Sequence, residues 1–432
     1  MAGRGEPYPT SSAPSHSVDP VSSPDLLDVE VRSEEALTPA EHASLELAGL
    51  TFHAPAEAWT VLASNRQVGY STHGLYRFFG KFPPPIARAL IENYTEPGDL
   101  VVDPTCGSGT TAVEALLLDR ECAVADVNPL GLLLARVKTR QIEAYVLRRA
   151  SESVAHGYRP VPESEAPELV GLRNPTHWFR SSTADSLRGL RRQVLAEKDQ
   201  AVRECLLAVF AATVREVSRA TTQQGRLFLD VSTAKDDALA PFMRRAERAI
   251  KSVEELPPRW PSGVTTVAAD LRTTTPDLVG AGAPLVIVHP PYFNGYRFTS
   301  TNSLELAWLG LDSRAIRRSE IREFFKVGRP ENAIRYIDDM SACLANAARL
   351  AQPGGAVAVM IGDTTLRGDH IRIVRPLLER APTSLQLEKI VVRVPRHTEA
   401  SWVTSQRRTS DSIGVRMFDY ILLFRQASPE WT

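Results

Sequence analysis

The stretch "DLVVDPTCGSGTTAVEALLLDRECAVADVNP", residues 99–129, constrains the fold more than any other part of the chain. A short valine-rich run ends at Asp103, a turn carrying Gly107 and Gly109 follows, apolar residues recur at helical spacing, and a second apolar run, "ECAVADV", closes the unit. Two β-type runs flanking an amphipathic helix make a βαβ unit, in which the strands lie parallel and the helix covers one face of their sheet. "VTTVAAD" (264–270), "PLVIVHPP" (284–291) and "GAVAVMIGD" (355–363) supply further strands. "LEKIVVRVP" and "FDYILLFR", separated by a polar loop, read as an antiparallel pair at a sheet edge. The fold class is therefore α/β.

The chain has 432 residues, 43% hydrophobic and 23% charged, enough for a sizeable core. Residues 1–45, rich in Pro, Ser, Ala and acids, are expected to form a disordered tail. Residues 46–150 and 261–432 then form the two parts of one α/β domain, with a helix from about Leu130 to Arg149 in the first part and a largely helical insertion over 151–260 between them. The first 50 residues carry nine acids against Arg4 and Arg32, which leaves the rest of the chain at +6 under an overall charge of −1. Local basic patches on such a body suit a polyanion. No apolar run approaches the roughly 20 residues of a membrane helix, and the first 20 residues lack the apolar core of a signal peptide. Cys106, Cys122, Cys205 and Cys343 are widely spaced with no CxxC pair, which argues against a zinc site and a disulfide framework. A cytoplasmic protein without a bound metal is expected.

The glycine turn admits several readings. Glycine permits positive φ and close approach of a ligand, and the helix start beyond it offers free N–H groups. A P-loop requires GxxxxGK[ST], and no lysine follows Gly109. The dinucleotide pattern GxGxxG lacks its third glycine, since the chain continues Thr110-Thr111-Ala112. A plain tight turn needs no ligand. Asp126, ending the second strand about 20 residues on, favours a nucleoside, because a doubly wound sheet presents a carboxylate to ribose hydroxyls at that separation. An Asx turn into Pro129 is the structural alternative. Asp270 ends a third strand, where it either reaches an adenine amine or caps a helix.

These residues resemble those of a known family. "DPTCGSGTTAVEALL" is similar to the S-adenosylmethionine loop of DNA amino-methyltransferases, usually DPFxGSGTT, and "HPPY" (289–292) to their catalytic [DNS]PP[YFW] tetrapeptide. "FFGKFPPPIARALI" (78–91) resembles the segment that closes over the methionine end of the cofactor, and the likeness runs from about Tyr70 to Arg425. The resemblance implies a class I, Rossmann-like methyltransferase with a seven-stranded, mostly parallel sheet whose last strand is antiparallel. It implies S-adenosylmethionine as cofactor, held by Phe79, Lys81, Phe82, Asp103, Thr105, Cys106, Gly107, Ser108, Gly109, Thr110, Asp126, Asn128 and Asp270. It further implies a DNA base amine as substrate, held by His289, Pro290, Pro291 and Tyr292.

An exocyclic amine is a weak nucleophile because its lone pair is delocalised into the ring, and two acceptors on its N–H bonds localise it. In the family these acceptors are the first tetrapeptide side chain and the carbonyl that follows, here His289 and Pro290. Pro-Pro fixes φ and donates no N–H, and Tyr292 offers a face for a base extruded from the duplex. The surroundings "PPYFNGYRFTSTNSLELAWLGL" look most like the SPPY variant, which points to cytosine-N4 in restriction-modification or related defence, alongside a nuclease or another subunit. Histidine replaces the usual Ser, Asp or Asn, which keeps adenine-N6, RNA guanine-N2 and a non-catalytic cofactor- and DNA-binding subunit as alternatives. For phosphate contacts, "SRAIRRSEIREFFKVGR" (313–329) holds six bases against two acids, and a later loop offers Arg393, Arg396, Arg407 and Arg408 with Trp402.

Overall fold

The computed structural model describes residues 30–428 apart from 64–66, 166–167, 173, 224–225, 234, 257–262, 275, 294, 296–297, 322–330 and 396–412. Nine strands form one sheet: β1 (Val31–Glu34), β2 (Ala56–Val61), β3 (Leu100–Asp103), β4 (Glu121–Asp126), β5 (Val264–Ala268), β6 (Ala283–Val288), β7 (Ala351–Ile361), β8 (Leu385–Val394) and β9 (Asp419–Gln426). Their spatial order is β1-β2-β8-β9-β7-β6-β3-β4-β5. Strands β5, β4, β3, β6 and β7 are mutually parallel, and β9 runs antiparallel to both β7 and β8. The seven strands from β8 to β5 are thus the expected sheet, with its last strand reversed.

The sheet is wider than expected, and residues 30–45 are not all tail. Strand β2 adds parallel to β8, and β1 pairs antiparallel with β2, so the N-terminal segment extends the edge to nine strands. Helix α1 (Pro39–Ala48) is locally specified: Thr38 and Glu41 form a reciprocal capping box, Pro39 opens the first turn, and Gly49 ends the helix at φ +72°. It docks through Leu45 and Ala48, and Ser44 bonds the Tyr420 hydroxyl at 2.5 Å and accepts the Phe418 N–H at 3.0 Å. Residues 1–29 of the expected tail lie outside the described residues.

Alternation along the strands divides the core between the two faces. Val102, Ala125, Val286, Val288, Val357 and Val359 face one cluster with Tyr336, Ile337 and Leu344, which lie on a helix spanning Asn332–Leu350. Val101, Val124, Leu285, Ile287, Ala356 and Ala358 face the other with α2 (Pro84–Tyr94) and α3 (Thr110–Leu117). The expected helix over 130–149 is two helices, α4 (Pro129–Thr139) and a second over Ala144–Gly157, with extended backbone at Arg140. That second helix joins those at Ser181–Ala196, Gln200–Val217 and Leu239–Glu254 around a separate apolar cluster. All four cysteines are buried thiols. Among the described residues no helix is long and apolar enough to cross a membrane.

Candidate active site

Connections leave β3 towards β4 on one side, whereas β6 lies on the other, so a crevice opens beyond the carboxyl ends of β3 and β6. A cleft occupies this place. Of the residues anticipated from sequence, Lys81, Phe82, Asp103, Thr105, Cys106, Gly107, Ser108, Thr110, Asp126, Asn128, Asp270, His289 and Pro291 line it.

The floor is the glycine turn. Gly107 and Gly109 have φ of +51° and +79°, which only glycine adopts without strain. Asp103 is buried under the turn, accepting from the Thr105 N–H at 3.0 Å and the Thr111 hydroxyl at 2.6 Å, and burial pushes its carboxyl up to about 7. Asp126 accepts from the Gly107 N–H and the Asn128 N–H, each at 2.8 Å, and burial holds its carboxyl above the ordinary range. Asn128 accepts from the Leu130 N–H at 3.1 Å and so caps α4. Helix α4 reaches the turn through Gly131, where a Cβ would lie 2.5 Å from the Gly107 carbonyl oxygen.

A single hydroxyl joins the turn to the tetrapeptide. Thr105 Oγ1 contacts Asp103 Oδ1 at 3.4 Å and accepts the His289 backbone N–H at 2.9 Å. The His289 ring lies between Phe82 and Tyr292, with centroids 5.1 and 5.4 Å away. The Pro291 carbonyl accepts the Tyr336 hydroxyl at 2.7 Å, which fixes the chain beyond the prolines.

The roof comes from residues 67–82, anchored by a buried carboxylate on α3. Glu114 bonds Tyr70 at 2.5 Å, His73 at 2.6 Å and Arg88 at 3.0 Å. Burial alone would raise it, but these partners hold it below the usual carboxylate range, while burial lowers His73 to about 4. The anchor places Phe78, Lys81 and Phe82 over the cleft. Burial brings Lys81 down to about 8. Behind the turn, fully buried Lys138 donates to the Ser108 hydroxyl at 3.1 Å, and burial, reinforced by Lys81, depresses its amine strongly.

Five anticipated residues are placed otherwise. Phe78, not Phe79, faces the cleft, where it stacks on Phe298; Phe79 lies beside the Arg77 guanidinium. Gly109 is a packing residue, since a Cβ there would lie 2.7 Å from Ala135 Cα. Pro290 is buried, and Tyr292 packs against the cluster under α2; neither is a cleft wall. Arg393 is buried and paired with Asp419, so it cannot track phosphates, whereas Arg314, Arg317 and Arg318 are exposed. Arg396, Arg407, Arg408 and Trp402 lie outside the described residues, as do 322–330 of the first basic run. Asp270 is gripped by Arg272, which also bonds Asp339 and the Ser319 carbonyl. Sequence reasoning missed Phe78, Lys138, Phe298 and Glu320.

Three buried polar atoms on the cleft walls have no partner among the described residues: Thr110 Oγ1, Asn128 Nδ2 and Glu320 Oε2. Buried polar groups are normally satisfied, so a polar ligand fits this cleft. Acids line one end, at Asp126, Asp270 and Glu320, while Lys81 and the Lys138–Ser108 pair mark the other. A nucleoside rich in O–H and N–H donors that also carries a carboxylate matches this polarity. S-adenosylmethionine has that form.

The sheet order and crevice define a class I S-adenosylmethionine-dependent methyltransferase fold. Residues 50–131 match the sequence model of the family described as DNA methylase. Type II methyltransferase M.BsoBI of Geobacillus stearothermophilus is 24% identical over 283 residues, covering 59% of this chain and 55% of that protein. M.MvaI of Kocuria varians is 25% identical over 166 residues, covering 36% and 37%. M.MjaII of Methanocaldococcus jannaschii is 28% identical over 88 residues, covering 20% and 17%. The chain thus spans from 17% to 55% of the length of these relatives. A crystal structure of a methyltransferase from Pyrococcus furiosus aligns over 84% of this chain and 94% of its own, with 9% identity and a TM-score of 0.32.

Proposed function

We propose that the chain methylates an exocyclic amine of a DNA base, cytosine-N4 in preference to adenine-N6, in restriction-modification or related defence in the cytoplasm. The observation that carries this reading is the 2.9 Å bond from the His289 N–H to Thr105 Oγ1, which fixes the tetrapeptide beside the cofactor turn. The names of the Type II methyltransferase relatives support DNA methylation without choosing the base.

On this reading Asp126 accepts from the ribose, and Ser108, Thr110 and Lys81 serve the amino-acid end. When bound, S-adenosylmethionine supplies the electrophilic methyl group. The chain's own contribution is orientation: neutral imidazole has one acceptor nitrogen, and the His289 ring is packed between two aromatic rings that restrict its rotation. The imidazole takes one of the two amine N–H bonds and helps to localise the lone pair. Exposed Arg314, Arg317 and Arg318 supply phosphate contacts near the same opening.

Base-resolved methylation mapping of DNA from cells expressing the chain tests the reading. We expect N4-methylcytosine at a defined motif, retained in His289→Ser and reduced about 10²-fold in His289→Ala, as when one preorganised hydrogen-bonding group is deleted. N6-methyladenine instead would reverse the base preference. Unmodified DNA from the wild type, with modification gained in His289→Ser, would identify a disabled site and a binding subunit.

A further inference from the structure

Glu320 sits in a run that reads as basic, "SRAIRRSEIREFFK", yet its surroundings differ from those of its neighbours. Arg314, Arg317, Arg318 and Ser319 are exposed, whereas Glu320 is only 8% exposed. It terminates the short helix Ser313–Ser319, where the backbone turns extended and sends the side chain inward. One carboxylate oxygen, Oε1, accepts both the backbone N–H of Thr299, at 3.0 Å, and the Thr299 hydroxyl. That pair ties the segment after the tetrapeptide to the end of the basic helix. The other oxygen, Oε2, is buried without a partner among the described residues, and Glu320 lines the cleft.

A buried carboxylate oxygen left unsatisfied is costly and so is rarely retained without a donor. The nearby guanidinium of Arg272 does not serve, because it is committed to Asp270, Asp339 and the Ser319 carbonyl. The nearest features of the cleft are acids: Asp270 is held beside Ser319 through Arg272, and the Asp126 charge acts on Glu320 with the same sign. Burial raises the Glu320 carboxyl and Asp126 adds to it, against the Thr299 bonds and Arg317, which lower it.

We propose that Glu320 is a further cofactor-binding residue, whose Oε2 accepts a hydrogen bond from the nucleoside of S-adenosylmethionine at the acid end of the cleft. The proposal rests on the cofactor reading of that cleft and deepens it. Glu320 thereby joins cofactor and tetrapeptide segment, since its other oxygen holds Thr299, ten residues beyond His289. Ribose hydroxyl and adenine amine are the two donors with this chemistry.

The test is calorimetric binding of S-adenosylhomocysteine to the full chain, without any turnover. Glu320→Gln keeps a carbonyl oxygen for Thr299 and replaces the other oxygen by an amide donor. We expect its melting temperature to stay near that of the wild type while its Kd rises roughly 10-fold or more, the range for a hydrogen bond to a charged group. Analogues of S-adenosylhomocysteine lacking the 2′-hydroxyl, or carrying hypoxanthine for adenine, identify the donor. The one that loses affinity for the wild type but loses no more for Glu320→Gln was paired with Oε2. Should Glu320→Gln not fold, Glu320→Asp, which keeps the charge but withdraws it, replaces it with the same expectation. Unchanged affinity in the variant that folds, or analogue penalties that persist in it, overturns the proposal. A wild type that does not bind S-adenosylhomocysteine overturns the cofactor reading itself, and that failure is visible separately in the wild-type titration.

Discussion

Asp103 is buried at the end of β3, beneath a turn whose shape it dictates by accepting from Thr105 and Thr111. Its carboxyl is pushed up from 3.8 to about 7 by burial, so the folded chain holds this proton more tightly than the unfolded one. For a raised carboxyl, the associated stability is complete below the unfolded pKa and disappears as pH rises through the folded value. Stability should therefore fall between about pH 4 and about pH 7, and Asp103→Asn, which cannot titrate, should show a shallower decline. Denaturant midpoints across that interval measure this. Asp126 and Glu320 are raised in the same direction and remain in the variant, so the slope should shrink without vanishing. Equal slopes would mean that Asp103 stays ionised throughout, with its oxygens satisfied by the turn.

At the level of elements, β1, β2 and α1 widen the sheet, and α1 covers part of one face. A chain beginning at residue 49 would expose the core contacts of Leu45 and Ala48 and leave the buried Tyr420 hydroxyl without Ser44. Losing one buried leucine and one buried hydroxyl partner costs on the order of 3–6 kcal/mol. The melting temperature of that truncation should drop clearly, and an unchanged one would show that α1 is not part of the cooperative fold. Composition over the first 50 residues concealed this helix, because acids and prolines around it dilute its apolar residues. The βαβ unit and the terminal antiparallel pair were legible because period and turn chemistry are local properties. Register was not: Phe78 and Phe79 are equivalent in sequence, and only docking of the 67–82 segment on Glu114 decides which ring faces the cleft. The Glu114 cluster joins residues up to 44 positions apart, and Glu320 was hidden among arginines.

The whole molecule couples its helical block to the segment that follows the tetrapeptide. Arg215, on the helix Gln200–Val217, donates to Glu305 at 2.7 and 3.0 Å, Tyr76 adds a bond at 3.1 Å, and Arg191 holds the Trp308 carbonyl at 2.8 Å. Leu304, Leu306 and Trp308 complete the apolar cluster of that block. The helical block therefore braces the stretch carrying Phe298 and Thr299, which reaches the cleft through Phe298 and Glu320. Cofactor turn, tetrapeptide and brace converge on one crevice, which on the proposed function moves a methyl group from S-adenosylmethionine to a DNA base amine. The direct measurement uses purified chain, S-adenosylmethionine labelled in its methyl group, and duplex DNA or RNA, followed by hydrolysis and identification of the labelled nucleoside. The expected result is label in DNA, as N4-methylcytosine, at a rate that falls in Asp126→Ala. Label confined to RNA, or no label in either nucleic acid, would contradict it.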